Sequence, residues 1–241
     1  MSAKQPLLDP LDRLEPYQQL LTEIRASQFL ASAPRGLGLP RSVRLALTAA
    51  LHHDLNVPLV LLTNRADRAL GLLDELQFWL PEGNNLYFPE PNPLFYEKLP
   101  WSDSTKRERL HVLSTLASYH LPGVTPPLTP PVIITPVRAV MTRTIPRRDF
   151  LRAVMRLKLG DTRDLHEMTA AWVSLGYQYS NIVVQPGQFS RRGGILDIWP
   201  PSHPMPIRIE FFGDEIDTLR YFNPATQCTE AKLERAEIFP A

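Results

Sequence analysis

Residues 185–222 read Q-P-G-Q-F-S-R-R-G-G-I-L-D-I-W-P-P-S-H-P-M-P-I-R-I-E-F-F-G-D-E-I-D-T-L-R-Y-F, with apolar and polar side chains alternating between glycine and proline breaks. Such a run folds as short paired strands, because period-2 alternation gives each strand one apolar and one polar face. In residues 195–199, Leu196 and Ile198 share the core face, and Asp197 and Trp199 share the other. In residues 207–212, Ile207, Ile209 and Phe211 alternate with Arg208 and Glu210. Gly213-Asp214 marks a tight turn back into residues 215–222. A two-residue loop there sets Glu210 opposite Asp217, a like-charge pair that costs stability. A three-residue loop sets Ile209 opposite Leu219 and Glu210 opposite Thr218, and this is the expected register. The polar face then presents Arg208, Glu210 and Trp199, with Arg191 or Arg192 beside the Gly193-Gly194 pair. Arg and Trp are enriched where interfaces concentrate their binding energy, so the block predicts a docking sheet. A solvated strand face is the plainer alternative for each arginine, and the core is the alternative for Trp199.

Composition narrows what such a sheet can serve. Lys plus Arg is 26 and Asp plus Glu is 25, a net charge of +1, so no global field draws the chain to nucleic acid or an anionic membrane. The single cysteine, Cys228, excludes a disulfide framework or a CxxC metal site within the chain. No HExxH occurs, and His52-His53 reads as a helix end. No uncharged apolar run is long enough to span a bilayer, and the first ten residues lack the apolar centre of a signal peptide. The expected compartment is therefore the cytoplasm, with no membrane partner.

Ahead of the block, helical periodicity marks residues 12–30, 42–51, 65–80 and 106–116, and short apolar runs mark strands at 57–62, 86–88 and 132–135. Helices alternating with buried strands predict an α/β layer around a parallel sheet. From Ala153 the pattern becomes β-rich with one helix, residues 161–175, with Asp161 as its N-cap and Gly176 just past its end. The boundary is placed near Arg148, dividing the chain into 1–148 and 149–241. Residues 121–131 are Pro-rich and read as a stiff surface loop rather than a PxxP ligand.

Residues 36–45, G-L-G-L-P-R-S-V-R-L, invite comparison with the phosphate loop GxxxxGK[ST]. Counting from Gly38, Val43 takes the second glycine position, Arg44 the lysine and Leu45 the hydroxyl. Leu45 cannot ligate Mg²⁺, a β-branched Val43 resists the backbone angles wanted there, and Pro40 removes an N–H donor. ATP hydrolysis is not expected, and no cofactor is expected. An ordinary Gly/Pro loop is the alternative on these residues alone. Asp74-Glu75 lies inside a helical pattern and reads as solvated surface.

Further markers are F-P-E-P-N-P-L-F-Y-E-K-L-P, the R-E-R-L helix, P-V-I-I-T-P-V-R-A-V, the Gly176-Tyr177 pair and the closing F-P-A. In order with the alternating block, they resemble the N-terminal UvrB-like module of bacterial transcription-repair coupling factors, over nearly the whole chain. The resemblance implies a degenerate phosphate-loop α/β domain over 1–148, followed by a small, mainly antiparallel α+β domain over 149–241. That second domain binds UvrA by imitating UvrB, in a factor for transcription-coupled nucleotide excision repair that recruits UvrA to stalled RNA polymerase. RNA polymerase and DNA would be engaged by further domains of a longer protein, which implies that this chain is a fragment of one. The docking surface would be masked at rest by a C-terminal domain, leaving the fragment open to UvrA. Carried onto this sequence, the contacts are Arg192 of the R-G-G signature and the Arg208-x-Glu210 pair, with Arg191, Tyr179 and Trp199 alongside. Gln178-Tyr179 stands where relatives carry a basic residue, and Ser190 where UvrB has arginine, with Arg191 a neighbour that could compensate. The alternative class is a UvrB-like helicase fragment that binds ATP at residues 36–45 and grips DNA.

Overall fold

The computed structural model describes residues 5–26, 36–91 and 101–241. Its helices are α1 (Asp9–Asp12), α2 (Glu15–Arg25), α3 (Arg44–Leu55), α4 (Ala66–Trp79), α5 (Asp103–Ser118), α6 (Val137–Met141), α7 (Arg147–Arg152) and α8 (Leu165–Ser174). Its strands are β1 (Leu59–Thr63), β2 (Asn84–Tyr87), β3 (Pro131–Pro136), β4 (Met155–Lys158), β5 (Gln178–Tyr179), β6 (Gln188–Arg192), β7 (Ile195–Ile198), β8 (Ile207–Phe212), β9 (Glu215–Phe222), β10 (Thr229–Leu233) and β11 (Arg235–Ile238). The chain divides into two compact units: residues 1–90 with 126–142, and residues 91–125 with 143–241. Helix α5, which the sequence reading groups with the first part, falls in the second unit.

The first unit is an α/β layer. Strands pair in the order β1-β3-β2, both pairs parallel. Leu45 of α3 and Ala69 and Leu76 of α4 bury against Val132 and Ile134 of β3. The central strand β3 is buried along its whole length. The expectation of a buried strand at 57–62 is corrected, because β1 is an edge strand whose outward-facing Val60 and Leu62 are 57% and 60% exposed. The expected helix at 12–30 is observed as α1 and α2, and residues 27–30 lie outside the described residues. His52 and His53 sit in the last turn of α3, where buried His52 places Nε2 2.7 Å from the Pro130 carbonyl. Among the described residues no helix is long and apolar enough to cross a membrane.

The second unit is built on a six-stranded sheet in the order β10-β9-β8-β7-β6-β5, antiparallel except for the β5–β6 pair, beside a two-stranded β4–β11 ribbon. Leu196, Ile198, Ile207, Ile209, Ile216 and Leu219 turn one face of the large sheet inward, onto Leu165, Met168 and Trp172 of α8 and onto Leu157 and Ile238. Trp172 is fully buried, with its ring edge-on to Phe189 at 5.6 Å between centroids. Truncating a core aromatic of this kind costs about 3–5 kcal/mol.

Two local expectations are corrected. The cap of α8 is Asp164, whose carboxylate accepts the Glu167 N–H at 2.8 Å, and not Asp161. Residues 160–163 cannot enter the helix because their backbone is held along the hairpin: Gly160 N–H donates to Ile216, Arg163 N–H donates to Asp214, and Thr162 bridges Glu215. The β8–β9 loop has two residues, Gly213 and Asp214, rather than three. Ile209 still faces Leu219 and Glu210 still faces Thr218, because a bulge after Glu210 absorbs the extra residue, Asp217. Gly176 closes α8 as expected, with φ +97, and a Cβ there would overlap the Ala241 carbonyl.

The loop between β7 and β8 is pinned by two histidines. His111 Nδ1 lies 3.2 Å from the Pro201 carbonyl. His203 has Nε2 3.0 Å from the Glu237 carbonyl, so it donates there and accepts the Tyr221 hydroxyl at Nδ1, 2.7 Å away. Burial pushes both imidazoles below their ordinary range, only partly offset by these carbonyls. Their folded forms therefore bind protons less readily than the unfolded chain does. The stability they contribute is complete above the unfolded value near ~6.5 and is lost as pH falls through the lower folded values. Thermal melts across this range should show the melting temperature falling on the acid side, with a shallower fall in His203→Gln.

Candidate partner-binding face

The outward face of the six-stranded sheet is organised by one carboxylate. Strand pairing sets Ser190 opposite Asp197, Asp197 opposite Arg208, and Arg208 opposite Arg220. Residues directly opposite share a face, so these four side chains form a row across β6 to β9. Asp197 is only 1% exposed. Its Oδ1 accepts Arg208 Nε at 2.7 Å and its Oδ2 accepts Arg208 Nη2 at 2.9 Å, the two-pronged geometry that fits guanidinium to carboxylate. Arg192 Nη2 donates to the same Oδ2 at 3.2 Å. The Arg208 guanidinium also lies 4.4 Å from the Phe222 ring centroid and donates to Gln227 Oε1 at 2.9 Å. The Asp197 hydrogen bonds hold the Arg208 guanidinium above its ordinary range, against the opposing effect of burial.

A second row carries Arg192, Ile195, Glu210 and Thr218. Glu210 accepts the Thr218 hydroxyl at 2.9 Å and pairs with Arg220. This disposition resolves a conflict in the first row, where Arg208 and Arg220 stand directly opposite each other. Each turns to its own acid, Arg208 to Asp197 and Arg220 to Glu210, which offsets the like-charge cost. The rows hold three arginines against two carboxylates, so the face carries an excess positive charge. Of the three arginines, Arg192 is the most open at 53% exposed, whereas Arg208 is 14% exposed, and exposed Lys232 on β10 stands opposite Arg220 at the end of the first row.

The six side chains expected to act together are divided by the register. Arg192, Arg208 and Glu210 lie on the outward face, and Trp199 follows Asp197 at two residues' spacing. Trp199 is half-buried and donates its ring N–H to the His203 carbonyl at 3.1 Å. Arg191 lies on the other face, opposite core residue Leu196, with Nη1 3.3 Å from the His166 ring. Tyr179 faces that side too, paired with Phe189 at the sheet edge, 62% exposed and edge-on to the Phe189 ring at 5.7 Å. Arg191 therefore does not compensate for Ser190, which stands on the Asp197 row while Arg191 points to the opposite face.

The sequence reading placed Asp197 outward but did not single it out. The signal was available in part, since Arg208 stands directly opposite Asp197 on β8 and Arg192 reaches it diagonally from β6. Arg220 could have been found the same way. Gln227 could not, because it reaches Arg208 through a loop in which it adopts φ +63. Phe212 was also missed; it lies at the hairpin tip, 83% exposed.

The loop over residues 36–45 takes an ordinary course. Gly38 has φ +61, but Val43 has helical angles, φ −95 and ψ −15. Arg44 Nε donates to the Leu39 carbonyl at 3.3 Å. Leu45 is 6% exposed and belongs to the core beneath α4. Among the described residues no cluster of three or more His, Cys, Asp or Glu has the arrangement to hold a metal ion.

A β-rich domain with this outward face belongs to a recognisable class. Residues 155–241 match the family described as the UvrB interaction domain. Across most of its length the chain is also similar to transcription-repair-coupling factors. It is 31% identical to that of Myxococcus xanthus over 227 residues, 94% of this chain and 18% of the relative. It is 30% identical to that of Bacillus subtilis over 204 residues, 85% of this chain and 17% of the relative. For Escherichia coli the identity is 29% over 186 residues, 76% of this chain and 15% of the relative. Residues 155–241 are thus a UvrB interaction domain, and the chain is a homologue of the transcription-repair-coupling factors, spanning less than a fifth of the length of these relatives.

Removing the organising carboxylate should be costly. Asp197→Ala leaves Arg208 partly buried without its acid, and breaking a buried pair from one side costs about 3–5 kcal/mol. Chemical denaturation should show that loss, whereas Arg192→Ala, at an exposed end of the network, should cost about 1 kcal/mol or less.

Proposed function

We propose that this chain is the UvrA-docking module of a transcription-coupled nucleotide excision repair factor. It binds UvrA through the outward face of the six-stranded sheet, presenting a surface like that of UvrB. In a longer protein this would bring UvrA to a stalled RNA polymerase, with polymerase and DNA engaged by other domains and a C-terminal domain covering the face at rest. The observation that carries the reading is the coincidence of two features within residues 155–241. The family match covers the β-rich domain, and that domain carries a preorganised ion network that ends in one half-exposed arginine, Arg192. A fixed arginine loses little further freedom on binding, which favours its use as an anchor.

The test is a calorimetric titration of the chain with purified UvrA. Wild type should bind, and Arg192→Glu should weaken binding by about 2 kcal/mol or more, the range of an interface anchor, while the variant still unfolds in a single cooperative transition. Full affinity in Arg192→Glu would remove Arg192 from the interface, and no binding by folded wild type would remove the function.

We also propose that the chain has no ATPase activity of its own. The support is local: Leu45 occupies the core in place of a Mg²⁺-ligating hydroxyl, Pro40 donates no N–H, and Val43 adopts ordinary helical angles. Titration with a non-hydrolysable ATP analogue should show no saturable binding. Micromolar affinity lost in Arg44→Ala would contradict this and favour the ATP-binding helicase reading.

A further inference from the structure

The near-zero net charge of the chain conceals a strongly uneven distribution. Residues 143–163 hold seven Lys or Arg against two Asp or Glu, a net +5 within a chain whose total is +1. All seven cations are exposed. They run from Arg143 through α7, with Arg148 and Arg152 one turn apart on the same side, into β4, and on to Arg163. The β4–β11 pairing adds Arg235 directly opposite Lys158. Two like charges in register are unfavourable, a cost that Arg156 opposite Glu237 in the same ribbon offsets in part. Arg156, Lys158, Arg163 and Arg235 converge on a recess of about 290 Å³ that Asp161 and Glu237 also line. Two of the cations are steered there: Arg163 by Asp161 at 3.4 Å and by the Arg156 carbonyl at 3.3 Å, and Arg235 by the Thr125 hydroxyl at 3.4 Å.

We propose that this arginine-rich strip binds the phosphate backbone of nucleic acid. Guanidinium groups match phosphate oxygens two at a time, and four cations around one recess, with four more exposed arginines just before them in the chain, suit a repeating polyanion better than a single carboxylate. Among the described residues no aromatic side chain lines the recess, and a phosphate backbone needs none, because its contacts are electrostatic. Binding of this kind is independent of sequence and weakens steeply with salt. The strip lies on a different sheet from the Asp197 face, so the two can be separated by mutation.

The experiment is fluorescence anisotropy of a labelled DNA duplex with the 241-residue chain, with poly-L-glutamate as a non-nucleic polyanion. Between about 50 and 200 mM salt, log affinity should fall against log salt with a slope near −3 to −4, as four phosphate contacts require. Arg156→Glu combined with Arg163→Glu should weaken binding about tenfold or more and reduce the slope by about 2. Arg152→Glu, on the solvent side of α7, supplies a second variant should the double one fail to fold. Arg192→Glu should leave DNA binding unchanged. The proposal is overturned by an absence of binding at low salt, by equal sensitivity to Arg192→Glu, by indifference to loss of the strip cations, or by poly-L-glutamate binding as tightly as DNA.

Discussion

Asp197 is a carboxylate withdrawn almost completely from water and held there by two guanidiniums from the flanking strands β6 and β8. Placing a charge in such a position is unfavourable unless its partners are exact in register. A one-residue slip of β7 would send Asp197 into the apolar core and Leu196 and Ile198 to the outward face. The pair therefore fixes the alignment of the central strands, and through them the arrangement of everything on that face. Arg208 is held over Phe222, Arg220 is left to Glu210, and Arg192 is turned to the surface.

Much of this was legible because strand alternation is simple. The split of residues 195–212 into a core face and a polar face follows from period 2, and the Ile209–Leu219 register follows from avoiding an Glu210–Asp217 contact. The reason for that register was not legible. The sheet keeps a two-residue turn and corrects the alignment with a bulge at Asp217, and a bulge leaves no compositional mark. The helix cap was misplaced for a related reason. Asp161 and Asp164 are equally good caps in isolation, and only the backbone pairing of residues 160–163 with the distant hairpin selects Asp164. The side-chain face of Arg191 depends on a register set by β7, so two adjacent arginines in a loop-like R-R-G-G context could not be told apart from sequence alone.

The first unit contributes by contrast. Its loop at residues 36–45 resembles a phosphate loop in outline, yet the position where a metal-binding hydroxyl would stand is filled by Leu45, a core residue packed among Ala69 and Leu76. Packing and metal binding make opposite demands on that side chain, and packing has it here. The two candidate surfaces lie in the second unit, one on the six-stranded sheet and the other on α7 and the β4–β11 ribbon. One is an ion-pair network that ends in a half-exposed arginine, suited to selective contact. The other is a strip of exposed cations at the start of the unit, suited to sequence-independent contact.

Amide hydrogen exchange with and without UvrA tests the central claim most directly, because it reports which strands become protected. The account predicts added protection in residues 188–198 and 207–212, with no change in residues 59–63 and 131–136 of the first unit. Protection confined to the first unit, or to residues 36–45, under conditions where UvrA is bound would contradict it.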